Sequence, residues 1–109
     1  MSVFPDGIEK VRGRFDDPGF QEKMKGFTKT IQFDFSDTKE SYLLTVLDGK
    51  LVSLEKRGIS DASIVITTTS ELFSGIMSRT ADPMSAYFTG KLKVQGDMND
   101  LMRLQPMMM

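Results

Sequence analysis

The sixteen residues Asp82-Pro83-Met84-Ser85-Ala86-Tyr87-Phe88-Thr89-Gly90-Lys91-Leu92-Lys93-Val94-Gln95-Gly96-Asp97 hold a helix start, a helix stop, a short strand and a second helix start. An aspartate carboxylate accepts the free N–H groups of a first helical turn, and proline at the first helical position gives up no hydrogen bond, so Asp82-Pro83 opens a helix. Gly90 takes the left-handed conformation that ends it. Lys91 to Gln95 then alternates charged and apolar side chains, as a half-buried strand does. Gly96-Asp97 repeats the stop and start, launching a last helix with Met98, Leu101, Met102 and Leu104 as its apolar residues.

The same local grammar runs through the rest of the chain. Phe4, Ile8, Val11 and Phe15 recur at gaps of four, three and four, one stripe of a first amphipathic helix. Asp17-Pro18 caps a short second helix that presents Phe20 and Met24 before Gly26. From Phe27 the period changes to two. Phe27, Ile31, Phe33 and Phe35 fall on one side of a strand, with Thr28, Thr30, Gln32 and Asp34 on a wet opposite face. Tyr42–Leu47 and Lys50–Lys56 flank Asp48-Gly49, a two-residue loop that tolerates the positive φ angles of a type I′ turn and so makes a tight hairpin. Ala62 to Thr67 is apolar on both faces at its centre and belongs inside the sheet. Thr68-x-x-Glu71 matches a capping box for a helix whose apolar face is Leu72, Phe73, Ile76 and Met77.

Composition removes whole classes of chemistry. The chain has 109 residues, enough for one domain with a single core and no staples. With no cysteine it lacks disulfides, thiol nucleophiles and cysteine–metal ligation, and with no histidine it lacks the commonest general base and transition-metal ligand. Its carboxylates show no pairing suggestive of two-carboxylate catalysis, and neither a Gly-x-Ser-x-Gly elbow nor a phosphate-binding Gly-Lys-Ser/Thr loop occurs. A net charge of −1, from 14 basic and 15 acidic residues, offers no positive field for nucleic acid. No apolar run approaches the roughly 20 residues of a membrane-spanning helix. The start lacks the pattern of a secretory signal, and Gln105-Pro106-Met107-Met108-Met109 is no Ser-Lys-Leu-type address, so the expected location is the cytoplasm.

The sixteen-residue run resembles the signature of the sterol carrier protein 2 family, in which P-x-S-A-x-F-x-G-K-L-K-x-x-G precedes a closing amphipathic helix. Pro83, Ser85, Ala86, Phe88, Gly90, Lys91, Leu92, Lys93 and Gly96 all fall in place. Leu72-Phe73-Ser74-Gly75-Ile76-Met77 is similar to the family's apolar helix, and Leu101-Met102-Arg103-Leu104-Gln105 to its final one. The resemblance covers about residues 7 to 105 of a single 1–109 domain, leaving 106–109 as a Met-rich tail. It implies an α+β fold, a five-stranded, mostly antiparallel sheet covered by about five helices around an apolar, lipid-binding tunnel; with histidine and cysteine missing, the expectation is binding with no catalysis and no cofactor. Met84 and Thr89 stand where many members carry glutamine.

The resemblance nominates a lipid-binding set: Phe33, Phe35, Phe73, Ile76, Met77, Tyr87, Phe88, Met98, Leu101 and Met102. Periodicity does not separate a cavity face from a core face, so an ordinary core is the competing reading for each residue. The nine methionines either give a pocket adaptable walls or fill gaps in a core. Met107-Met108-Met109 either folds over the cavity mouth or frays. Lys91 and Lys93 belong on the polar face of their strand, meeting lipid phosphate or an anionic membrane surface, or simply water. Asp82 and Asp97 are caps. The expected partners are a long apolar ligand, a membrane touched transiently and, as a second reading, an enzyme, since the family's fold also occurs as an appended domain of larger enzymes.

Overall fold

The computed structural model describes residues 4–104. The expectations on Gln105, Pro106 and the three terminal methionines lie outside the described residues.

Helix α1 (Asp6–Phe15) buries Ile8, Val11 and Phe15, three of the four residues of the expected stripe. Phe4 lies before the helix, half-buried and edge-on to Tyr42 with ring centroids 6.0 Å apart. Helix α2 (Pro18–Lys23) starts as expected, the Asp17 carboxylate accepting from the Phe20 N–H at 3.1 Å. Strands β1 (Lys29–Phe35), β2 (Glu40–Leu47), β3 (Lys50–Glu55), β4 (Ile64–Thr68) and β5 (Lys93–Gln95) form one sheet in the order β3-β2-β1-β4-β5. β1 and β4 run parallel and every other neighbouring pair is antiparallel. The α+β architecture is therefore the expected one, with α3 (Ser70–Met77), α4 (Pro83–Phe88) and α5 (Met98–Arg103) completing five helices.

Register decides which side chains meet. Phe33 sits between Tyr42 of β2 and Ile66 of β4, and Ile31 between Leu44 and Ile64. All six are almost fully buried, so these three strands present one continuous apolar face. Phe73 of α3 lies on that face, its ring centroid 4.8 Å from Phe33 and 5.8 Å from Phe35. The hairpin turn has both φ angles positive, 49° at Asp48 and 80° at Gly49. It is held under α2, where the Gly26 N–H donates to Asp48 Oδ1 at 2.7 Å and the Gly49 N–H to the Phe27 carbonyl at 3.0 Å. A side chain at residue 49 would meet the Gln21 and Met24 carbonyls at 2.9 Å, so glycine is required there by approach as well as by φ.

Three expectations need correction. The opposite face of β1 is not wet at Gln32, which is 6% exposed beside a buried Leu43. The crossover from β3 to β4 covers it, with the Ile59 N–H donating to Gln32 Oε1 at 2.8 Å while Gln32 Nε2 donates to Asp34 Oδ1 at 2.8 Å. The cap of α3 is Thr69, whose hydroxyl oxygen accepts from the Leu72 N–H at 3.0 Å. Thr68 cannot serve because it ends β4 on the buried face and donates to the Lys91 carbonyl at 2.9 Å. Lys91, finally, precedes β5: it lies in the turn that closes α4, where the Lys91 N–H reaches back to the Ala86 carbonyl at 2.9 Å.

Candidate functional site

An open cleft of about 710 Å³ lies where the end of β4 meets α3 and the turn after α4. Its floor is the run Thr67-Thr68-Thr69, with Ser36 beside it. One wall is Glu71, Leu72 and Gly75 of α3, and the other is Thr80, Ala81, Gly90, Lys91 and Lys93. Helix α3 is anchored at this rim by Asp37, which accepts from the Ser70 N–H at 2.9 Å and from the Ser70 hydroxyl at 2.6 Å. Those hydrogen bonds from Ser70 hold the Asp37 carboxyl below its usual range.

Gly90, with φ at 78°, ends α4 in a Schellman turn: its N–H donates to the Tyr87 carbonyl at 3.2 Å, and Lys91 N–H bridges to Ala86. This fixes where the two lysines stand. Lys93 pairs in register with Thr67 on the sheet's outer face, while Val94 pairs with Ile66 on the core face. Neither lysine is in an ion pair among the described residues, where the five pairs use other cations.

The ten nominated residues divide. Phe33, Phe35, Phe73, Ile76 and Met77 come together in the core between the sheet and α3, each 5% exposed or less. Leu101 is half-buried and packs against that core. Tyr87, Phe88, Met98 and Met102 point away from it and are exposed. None of the ten lines the open cleft, which uses Leu72 and Gly75 on the adjoining face of α3. Sequence reasoning singled out Lys91 and Lys93 but passed over Ser36 and the hydroxyls of Thr67, Thr69 and Thr80. The signal available was the unbroken Thr67-Thr68-Thr69-Ser70 run at a strand end.

The last two helices are amphipathic in an unusual sense. In α5, Leu104 just beyond the helix is buried while Met98 and Met102, four residues apart on one stripe, are 70% and 66% exposed. The helix is clamped by Arg103, which donates to the Lys25 carbonyl at 2.7 Å and stacks over the Phe27 ring, and by an Asp100–Lys29 ion pair at 3.5 Å. In α4 only Ala86 is buried, and Met84, Tyr87 and Phe88 face water. Of the seven large apolar side chains exposed among the described residues, five are on these two six-residue helices.

The family model described as the SCP-2 sterol transfer family matches residues 8–109. The chain belongs to that family. Sterol carrier protein 2 from Yarrowia lipolytica, in its apo form, superposes with a TM-score of 0.67 at 25% identity, covering 99% of this chain and 95% of that one. A palmitated sterol-carrier-like protein from Aedes aegypti superposes with a TM-score of 0.68 at 20% identity, over 95% and 91% of the two chains. A linear primary-alkylsulfatase from a Pseudomonas species is 29% identical over 79 residues, which is 72% of this chain and 12% of the sulfatase. The chain thus spans only a small part of that enzyme's length. Among the described residues of this SCP-2 domain, no helix is long and apolar enough to cross a membrane, and no acidic cluster is arranged to hold a metal ion.

Proposed function

We propose that the chain is a non-enzymatic lipid carrier that shields a fatty acid, fatty acyl-CoA or sterol-like molecule from water and passes it between membranes in the cytoplasm. The observation that carries this reading is the exposure of five large apolar side chains on two short helices, Met84, Tyr87 and Phe88 on α4 and Met98 and Met102 on α5, in a molecule whose core holds Phe33, Phe35, Phe73, Ile76 and Met77. Side chains of that size left in water are suited to an apolar partner. The apolar chain of the ligand would enter between α5 with Leu101 and the sheet, so that the buried five line a tunnel and Met98 and Met102 flank its mouth. Family membership supports this, and the palmitated relative shows that the fold accepts an acyl chain in that protein.

The driving force is burial. At about 0.8 kcal/mol per methylene, a 16-carbon chain gains on the order of 12 kcal/mol gross, against several kcal/mol of association and ordering costs. Micromolar binding therefore needs no specific polar contact, and a methylene more or less changes affinity by only about 1–3 kcal/mol. The expected behaviour is promiscuity among long-chain ligands. Native mass spectrometry of freshly purified protein, followed by extraction, tests the proposal: adducts of long-chain lipids support it, whereas a bare protein that also refuses added palmitate and palmitoyl-CoA refutes it.

The similarity to a segment of an alkylsulfatase favours one second reading, an accessory module that serves a lipid-metabolising enzyme. Such a module would copurify with a protein rather than with lipid.

A further inference from the structure

We infer that β3 is the seam of a two-fold dimer, pairing antiparallel with β3 of a second copy of this chain. β3 is an edge strand: β2 is its one strand neighbour among the described residues, and none of its own residues is buried. The unpaired N–H and C=O groups of such an edge are a template for another strand. Outside α4 and α5, the large apolar side chains exposed among the described residues are Leu47 at 54% and Val52 at 56%, and both belong to the β2–β3 hairpin.

The edge is complementary to itself. Thr45 pairs with Ser53 and Val46 with Leu51, which leaves Val52 as the extra residue of a bulge. Leu54 stands opposite Leu44 and Leu51 opposite Val46, so both leucines lie on the core face, where a regular strand would put residues 51 and 54 on opposite faces. Lys50 and Glu55 share the outer face in the same way. Pairing residue 50 of one copy with residue 55 of the other therefore sets leucine beside leucine on one face and lysine beside glutamate on the other, twice over. Lys50 is exposed and in no ion pair among the described residues. Each Glu55 oxygen has one bond, to Arg57 Nε at 3.2 Å and from the Ser53 hydroxyl at 3.1 Å, and keeps a lone pair for the incoming ammonium.

Charge also selects this register over its neighbours. Along the edge the charged residues are Asp48, Lys50, Glu55, Lys56 and Arg57. In the inferred register Asp48 falls opposite Arg57 and Lys50 opposite Glu55, while Lys56, already paired with Glu40, falls opposite Gly49. Sliding by two residues sets Asp48 against Glu55 in one direction and Lys50 against Arg57 in the other. Sliding by one sets core face against outer face. The result is a continuous sheet through both copies. β3 and β5 are opposite edges, so the cleft beside Lys93 stays free in each copy and the inference is independent of the carrier reading.

Sedimentation velocity of the full chain over a wide concentration range tests it. A concentration-dependent monomer–dimer equilibrium is expected. Within one chain, Lys50 and Glu55 are separated by roughly 15 Å along the strand, beyond the reach of screened charge, so they couple only across the two-fold axis. Lys50→Glu and Glu55→Lys each set like charges together at two symmetric places and should weaken the dimer about ten-fold apiece. The two changes combined restore opposite charges and should return the affinity to within about two-fold of the parent, which also shows that neither acts by unfolding the chain. Phe88→Ser, on the helix before the opposite edge, should change nothing. A protein that stays monomeric, a dimer that the single changes leave intact, or one that the combined change does not rescue overturns the inference. So does a dimer dissolved by Phe88→Ser, which would place α4 in the seam instead.

Discussion

The ring of Phe73 occupies the space where a β-carbon on Gly7 would sit: a methyl there would lie 2.6 Å from Phe73 Cδ2 and 3.3 Å from the Ser74 nitrogen. Helices α1 and α3 touch at this point, and the ring cannot back away because it is fully buried against Phe33 and Phe35. Gly7→Ala should therefore cost about 1–3 kcal/mol, the usual range for overpacking. Gly13, in the same helix with nothing within 4 Å of its would-be β-carbon, is the control. Gly13→Ala should stabilise by about 0.5–1 kcal/mol through helix propensity. Urea unfolding of the two variants checks both signs.

Helix α3 ends with Arg79 in the left-handed region, at φ 64°, within a Schellman turn formed by Arg79 N–H to Ile76 and Thr80 N–H to Gly75. A side chain there costs about 1–2 kcal/mol that glycine does not incur. Arg79 also lies near Arg14, whose guanidinium pKa is pushed down first by burial and then by Arg79's charge. Arg79→Gly should raise stability by about 1 kcal/mol. Gly90→Ala should do the reverse by a similar amount, since φ is 78° and no atom stands within 4 Å, leaving backbone strain as the sole cost. Thermal denaturation of both variants is the test.

Asp37 supplies an acid-side dependence. Its folded-state pKa is depressed, mainly by hydrogen bonds from Ser70, so its contribution to stability is complete above the ordinary aspartate value of 3.8 and is lost as pH falls through the lower folded value. Glu40, lowered mainly by its bond from Lys56, acts in the same direction below its own ordinary 4.5. Asp37→Asn should be less stable than the parent at pH 7, and the difference should shrink steadily below pH 3.8. Urea midpoints measured across the acid range decide it; a gap independent of pH would assign the effect to packing.

Gln32 holds the crossover onto the sheet. Replacing it with alanine leaves the Ile59 N–H and Asp34 short of a partner, a loss of about 1–3 kcal/mol. Ile59 should then exchange its amide hydrogen faster, with Leu44 on the other face unaffected. Hydrogen exchange followed by NMR reads the two positions together.

The residues that sequence alone placed correctly are those whose conformation is decided by neighbours in the chain. Asp17, Asp82 and Asp97 each cap a helix from within two or three residues, and Asp48-Gly49 turns the hairpin through its own φ angles. Gln32 was misread because its cover arrives from residue 59, a fact of topology that no alternation contains. The capping-box spacing to Glu71 favours Thr68 over Thr69, and the pairing of Thr68 with Phe35 in the sheet overrides that local pattern. At the candidate site the limit is length. A six-residue helix gives less than two turns of pattern, so Met84 and Phe88 look the same whether they face core or water. The alternation places both lysines on the polar face of a strand, but Lys91 lies in the Gly90 turn, and the cleft the two border is made by that turn meeting α3.

Strand β5, which joins α4 to α5, meets β4 through three residue pairs, whereas β1 and β2 share seven. The segment from α4 through β5 is thus latched to the sheet by a short zipper, with the Thr68 hydroxyl bond to the Lys91 carbonyl and buried Ala86 and Leu92 beside it, while α5 is fixed separately at Lys25, Phe27 and Lys29. A segment with so few strand pairings can open and reseat while the rest stays folded, at a free energy below that of global unfolding. Amides of β5 should accordingly exchange ahead of those of β1. Entry of a bulky guest would then require only that this latch lift, so the stability of the zipper, rather than that of the whole molecule, sets how often the interior opens.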